Sequence, residues 1–405
     1  MNSTRLHRNL VYAAVDALHE IFNNDKYADK VLQSTLKRDK RWGARDRAFI
    51  AETVYDIVRW RRLYAEIAEA KEPFKRENLF RMFAVWLVLK GHYIPDWKEF
   101  EGTPTRRIKG KFDQLSKIRK YRESIPDWLD ELGEKELGKK WDKEIAALNQ
   151  EAEVVLRTNT LQTTVAKLKA DLTEEQVPCE TIKGLPDALK LKERTNVFLL
   201  ESFKKGWYEV QDASSQEVAP FLNVQPGMRV VDCCAGAGGK TLHLAALMQN
   251  KGQLIALDIF QNKLNELKRR AKRAGAFNIE PRLIDSTKVI KKLHDKADRV
   301  LIDAPCSGLG VLRRNPDAKW KLKPEFLTEI QKTQADILDR YSKILKPGGK
   351  MVYATCSILP SENQKQIAAF LRREAGQEFS LVKEKTILPS QSGYDGFYMA
   401  MLERK

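Results

Sequence analysis

The chain has 405 residues, 42% hydrophobic and 31% charged, and Lys plus Arg exceed Asp plus Glu by 17. That length and apolar content describe a core-forming protein of two or three domains and exclude a disordered or disulfide-stapled chain. The basic excess favours a polyanionic partner, mainly nucleic acid, with a solvated Lys-rich surface as the plain alternative.

Residues 1–150 read as a helical domain. Leu10, Ala14, Ala17, Leu18 and Ile21 recur at helical spacing, as do Ala51, Val54, Tyr55 and Val58. The N-terminus MNSTRLHRNLVYAAVDALHE is charged and amphipathic, unlike a signal peptide. The run Phe83–Leu89 (FAVWLVL) is far shorter than the roughly 20 residues of a membrane span and predicts a buried helix. No membrane contact is expected, and the location is expected to be cytoplasmic. Thr103–Arg122 holds eight Lys/Arg against one Asp. It reads either as a phosphate-contacting patch or as an exposed linker.

Residues 151–214 change character and suit a small α+β module. VVLRTNTL, ALKLKE and VFLLES read as strands and VAKLKADLTEEQ as a helix, punctuated by Gly184, Pro186 and Gly206.

From 215 to 405 strands and helices alternate. The strand candidates are 228–234, 253–259, 279–285, 299–305 and 350–356, separated by TLHLAALMQ, LNELKRRAKRAG and a long helical pattern over 326–345 that the turn Lys346–Gly349 ends. This is the rhythm of a parallel, doubly wound, Rossmann-like α/β sheet. GYDGFYMAML adds a strand, placed at the sheet's far side.

The first strand of this sheet runs into Cys233–Thr241 (CCAGAGGKT), which opens a helix. Its glycines, Gly236, Gly238 and Gly239, permit close backbone approach to a ligand. It is not a Walker loop, because the residue five before Gly239 is Cys234 rather than Gly. Asp258 closes the second strand, where an acid accepts ribose hydroxyls. Asp285 closes the third, placed for an adenine amino group, and Asp303 closes the fourth. Any one of these acids alone reads equally as a cap. Three in succession after a glycine loop suit an adenosine whose 5′ substituent lies over Cys234, Ala235, Gly236, Ala237, Gly238, Gly239 and Lys240. S-adenosylmethionine fits better than a dinucleotide.

Two cysteines follow the last apolar strands, Cys306 in APCSG and Cys356 in ATCS. Both stand where an open α/β sheet places its active site. With Cys179, Cys233 and Cys234 they make an odd, sparse set, which points to free thiols in a reducing compartment. No spacing suggests a metal site. Cys179 and Cys233 read as non-catalytic.

On VVDCCAGAGGKT, LIDAPCSGLG, RRNPD (Arg313–Asp317), LKPGGKMVYATCSILPSEN and YDGFYMA, the chain resembles the 5-methylcytosine RNA methyltransferases. LRTNTL and GWYEVQDASSQ match that family's pre-catalytic module. LVYAAVDALHEIF, YADKVL and RDRAFIAETVYDIVR resemble the NusB-like helical domain of some members. The resemblance implies S-adenosylmethionine as donor and an RNA cytosine-C5 methyltransferase; a monomer is the default expectation. The helical domain points to 16S (small-subunit) ribosomal RNA; transfer RNA is the alternative. It implies Cys356 as the nucleophile, Cys306 as the group assisting adduct resolution, and Asp303 as a contact to the base. Lys240 would contact the donor or that acid. By spacing alone either cysteine could attack, and the Pro-Cys motif of DNA cytosine methyltransferases favours Cys306. Arg313 and Arg314 read as RNA-positioning or as a solvated loop. Tyr394, Phe397 and Tyr398 read as base-pocket or core. A DNA methyltransferase and an inactive RNA-binding assembly factor are the competing functions.

Overall fold

The computed structural model describes Leu6–Lys405; residues 1–5 of the N-terminal amphipathic stretch lie outside the described residues. The chain divides into two compact units. One comprises Met1–Gln150 with Leu312–Leu322, the other Glu151–Val311 with Lys323–Lys405.

The first unit is helical: α1 Arg8–Asn23, α2 Ala28–Thr35, α3 Ala44–Arg59, α4 Arg61–Ile67, α5 Arg76–Leu89, α6 Thr105–Leu115, α7 Arg119–Arg122, α8 Asp127–Leu137 and α9 Trp141–Leu148. The apolar positions of α1 and α3 face one core, and α5 is buried nearly all round, as an apolar run too short to span a bilayer should be. No described helix is long and apolar enough to cross a membrane. Within the basic stretch, Arg107 and Lys111 pair with Glu69, Arg119 with Asp130 and Glu134, and Arg122 with Glu123 and Asp142. Much of its charge is thus spent within the unit, and it forms helices α6 and α7 rather than a linker.

Leu312–Leu322 belongs to this helical unit. Arg313 is buried, donates to Gln150 Oε1 at 3.0 Å, and its carbonyl accepts from Arg59. That corrects its reading as a solvated or RNA-facing residue. Asp317 accepts the Ala28 N–H at 2.9 Å at the start of α2. Lys319 is fully buried and donates to Asn149 Oδ1 at 2.9 Å, and burial holds its ammonium well below the usual range. Trp320 Nε1 donates to the Val58 carbonyl at 2.8 Å. These residues surround or form helix α17, Ala318–Lys321.

The second unit opens with β1 Val155–Thr158, α10 Val165–Glu174, β2 Cys179–Ile182, β3 Leu185–Leu191, α11 Glu201–Lys204 and β4 Tyr208–Val210, whose sheet runs β2-β3-β1-β4. VFLLES is not a strand. Asn196 caps a short 3-10 turn at Val197–Leu199, Phe198 and Leu199 point to solvent, and α11 starts at Glu201. Strands β2 and β4, which the sequence reading missed, complete the sheet.

After α12 Ala213–Gln216 and α13 Val218–Phe221 comes the large sheet. Its elements are β5 Arg229–Asp232, α14 Gly239–Leu247, β6 Gln253–Asp258, α15 Gln261–Ala274, β7 Ile279–Leu283, α16 Thr287–Lys291, β8 Ala297–Asp303, α18 Pro324–Tyr341, β9 Leu345–Thr355, α19 Gln364–Arg372, β10 Phe379–Ile387, α20 Pro389–Ser392 and β11 Phe397–Arg404. The order is β10-β11-β9-β8-β5-β6-β7. Strands β5 to β9 are parallel; β5, β6, β8 and the second half of β9 are buried, largely apolar runs because helices cover both faces, whereas the edge strand β7 (IEPRL) is only half-buried. Two details differ from expectation. Lys346–Gly349 lies inside β9 as a register shift, not before it. Strand β11 is not at the far side: it lies antiparallel between β9 and the edge strand β10.

Candidate functional site

Strands β8 and β9 are parallel neighbours in which Asp303 pairs with Ala354. Their carboxyl ends therefore deliver Cys306 and Cys356 side by side, fifty residues apart in sequence, with the sulfurs 3.3 Å apart. Both thiols are free and half-buried. The shared hydrogen bond with Cys356, and then burial, push the Cys306 thiol well above its usual value. One thiol of the pair is thereby held protonated.

Each cysteine is followed by a serine. Ser307 Oγ donates to Glu362 Oε2 at 2.5 Å, and Ser357 Oγ donates to the same oxygen. Glu362 Oε1 accepts from Ser307 N–H at 2.8 Å and from Gln334 Nε2 at 3.0 Å. Gly310 N–H donates to the Cys356 carbonyl at 2.9 Å and closes the two loops on each other.

Beside the thiols, Lys240 Nζ pairs with Asp303 Oδ2 at 2.6 Å and lies over the Phe397 ring. Burial lowers the Lys240 pKa, but the charge of Asp303 and the hydrogen bond to it outweigh burial and hold it above its ordinary value. Phe397 thus faces this cluster. Tyr398 points to the other face of β11 and donates to Glu384 at 2.6 Å, and Tyr394 packs against Val155, Ala188 and Ala213.

The glycine loop leaves β5 and enters α14. Gly238 has φ +90°, and an added Cβ would lie 2.8 Å from the Leu267 side chain, so the turn requires glycine. Around Gly236 the space is open. Asp258 accepts the N–H groups of Gly236 and Phe260, both at 2.8 Å, which folds the loop towards the end of β6. Asp285 stands exposed two residues beyond β7. Cys234 and Ala235 begin the loop, with the Cys234 thiol pushed up by burial. Arg157 of β1 donates to the Gly239 carbonyl at 2.6 Å, and Arg270 of α15 donates to the Ala237 carbonyl at 2.8 Å. Glu209 joins Arg270 to Arg273. The open space at Gly236 and the acids at the carboxyl ends of β6, β7 and β8 are compatible with an adenosine carrying a cationic 5′ substituent.

Arg157, Arg270, Glu209 and Glu362 were not singled out from sequence. Arg157, Glu209 and Glu362 lie inside the motifs that carry the resemblance, but only the fold shows what they hold. Asp232 was also missed. It accepts from Thr241 Oγ1 at 2.7 Å, and burial raises its pKa to about 7. Burial also lowers His243 to about 4. Between the unfolded value of 3.8 and about 7 the folded state binds more protons at Asp232, so this group's contribution to stability falls as pH rises through that window. His243 acts oppositely: its penalty is absent above 6.5 and grows as pH falls towards 4. Asp232→Asn removes the falling limb. Thermal melts between pH 4 and 7 should then show stability rising more steeply with pH than in the parent; an unchanged slope refutes this reading of Asp232.

A sheet of parallel strands with a single antiparallel strand, β11, inserted before the edge strand β10, a glycine loop after β5 and acids closing the strands beyond it define an S-adenosylmethionine-dependent methyltransferase. The model of the "16S rRNA methyltransferase RsmB/F" family matches residues 219–403, and that of the "Methyltr_RsmF/B-like, ferredoxin-like domain" matches 125–198. The probable ribosomal RNA small subunit methyltransferase B of Synechocystis is 31% identical over 96% of this chain and 97% of its own. Ribosomal RNA small subunit methyltransferase B of Enterobacter is 36% identical over 68% of this chain and 66% of its own. Among solved structures, PH0851 superposes with a TM-score of 0.83 at 26% identity, covering 100% of both chains. NSun6 from Pyrococcus horikoshii, solved with SFG, gives 0.64 at 21% identity over 70% of this chain and 99% of its own. The chain belongs to the ribosomal RNA small subunit methyltransferase B family.

Proposed function

We propose that the protein methylates C5 of an unpaired or flipped-out cytosine in small-subunit ribosomal RNA through a covalent bond from Cys356 to C6. The observation that carries this reading is the pair of sulfurs 3.3 Å apart beside the Lys240–Asp303 pair.

Cytosine C5 is a poor nucleophile. A thiolate that adds to C6 makes C5 enamine-like, which divides one difficult step into easier ones. Cys356 forms the Sγ–C6 bond, and the protonated Cys306 thiol donates a hydrogen bond to it beforehand. Asp303, fixed by Lys240, contacts the ring at N3 or the exocyclic amine. S-adenosylmethionine, held by Cys234–Lys240, Asp258, Asp285 and Asp303, supplies an electrophilic methyl carbon when bound. Loss of the C5 proton then returns the C6–Sγ electron pair to sulfur, and Cys306 assists that release. A cytosine inside a duplex is out of reach of both thiols, so the base must leave its stack. The basic surface, including the helical domain of residues 1–150, holds the flanking backbone.

Bisulfite sequencing of total RNA from a deletion strain and its complemented parent tests the reading. One cytosine of the small-subunit RNA should become convertible in the deletion and regain protection on complementation. A change confined to transfer RNA or DNA, or no change, overturns it.

A further inference from the structure

Glu362 is fully buried, yet its carboxylate is filled by four donors from three segments. Two of those segments are the cysteine loops. Ser307 follows Cys306 and Ser357 follows Cys356, and both hydroxyls meet on Glu362 Oε2. The third is α18, whose Gln334 also donates to the Pro305 carbonyl at 3.0 Å. Behind Glu362, its own carbonyl accepts from Tyr353 at 2.8 Å, and Asn363 donates to the Ser357 carbonyl at 2.9 Å. A buried carboxylate is costly unless its lone pairs are satisfied, and donors to an ionised group are the stronger kind.

We infer that Glu362 is a positioning residue: by accepting from both Ser307 and Ser357 it sets the separation of the Cys306 and Cys356 sulfurs. This rests on the proposed chemistry only in what the separation is for, namely that the thiol which releases the base must stand beside the one that attacks. The geometry itself is independent of it. The two hydroxyls also lie 3.3 Å from each other, a contact that sharing Glu362 Oε2 holds in place. Gly310 restrains the same loops through the backbone, but it does not fix the side-chain ends. The carboxylate also faces Cys306 as a negative charge, in the direction that keeps that thiol protonated.

The separation can be read without catalysis. Diamide oxidises two thiols to a disulfide, taking up both electrons and both protons, and it links only sulfurs able to close to about 2.05 Å. Glu362→Gln keeps the volume but turns one acceptor edge into a donor facing donors. The purified variant should link Cys306 to Cys356 about tenfold more slowly than the parent. Methyl transfer at saturating donor should fall about 100-fold, the scale expected for misplacing a reacting group by about 1 Å. Affinity for S-adenosylmethionine should stay within about threefold, because the glycine loop is braced separately by Arg157 and Arg270. Ser357→Ala, which leaves three of the four donors, covers the case in which Glu362→Gln does not fold. It should slow linking in the same direction by a smaller factor. Linking at the parental rate in a folded Glu362→Gln protein, or in Ser357→Ala if the first fails to fold, overturns the inference. If linking slows as expected but the parent protein never methylates cytosine, the positioning role stands and the proposed function falls.

Discussion

With Cys356 as the proposed nucleophile, Cys356→Ala is expected to abolish methyl transfer and to leave no covalent protein–RNA species, whereas Cys306→Ala is expected to accumulate one. The two sulfurs are neighbours at 3.3 Å, but they are not equivalent. The Cys306 thiol is pushed up by its hydrogen bond to Cys356 and by burial, and the assignment of attack to Cys356 follows the ATCS motif of the resemblance. Removing a covalent nucleophile costs at least about 10⁴-fold. Removing the neighbour leaves attack intact and slows release, so the adduct becomes the resting state. Denaturing gels with labelled RNA separate these outcomes, and transfer of a labelled methyl group measures the first. If Cys306→Ala alone prevents the adduct, the two roles are exchanged.

Gly310→Ala is expected to destabilise the second unit and to disable the site together. Gly310 donates to the Cys356 carbonyl and accepts from Gly396 N–H at 2.8 Å. A Cβ there would lie 2.7 Å from the Cys356 carbonyl oxygen and overlap the Gly396 carbonyl. Both obstacles are backbone, so no rotamer change relieves them. Overpacking of this kind costs about 3 kcal/mol, which for a unit of this size lowers the melting temperature by roughly 6–12 °C. The yielding element is the Cys356 loop, so turnover should fall further than the folded fraction does at 25 °C. Gly110→Ala is the contrast. In α6 the added methyl meets nothing, and a stabilisation of about 0.5–1 kcal/mol is expected. Parallel calorimetry and methylation assays of both variants decide the matter. A Gly310→Ala protein with parental melting would show that the loops are softer than their contacts imply.

The parallel sheet was legible because its central strands are apolar runs ending in turns, a pattern that buried parallel strands write plainly. Strand β10 was not, because Ser380–Thr386 is exposed along an edge and its apolar pair, Leu381 and Val382, runs into Lys383-Glu384-Lys385 without alternation. VFLLES failed for the opposite reason: its apolar residues look like a strand, but Asn196 winds the backbone into a 3-10 turn and leaves Phe198 in solvent. At the site, the glycine loop, the strand-end acids and both cysteines could be located from the order of elements alone. Glu362 could not be interpreted, although it stood in a quoted motif. Its meaning depends on two serines fifty residues apart reaching one oxygen, and only the pairing of β8 with β9 brings that about. Arg313 misled because a doubled arginine before Asn-Pro resembles an exposed loop, whereas the helical unit encloses it.

The loan of Leu312–Leu322 to the helical unit bears on how the protein is made. A domain at the start of a chain usually folds as soon as it leaves the ribosome. Here the unit built from the first 150 residues lacks Asp317 at the start of α2, Lys319 in its interior and Trp320 against α3 until more than 160 further residues have been translated. Its completion waits on strand β8, and a gene cut after Gln150 encodes a helical domain without its last piece.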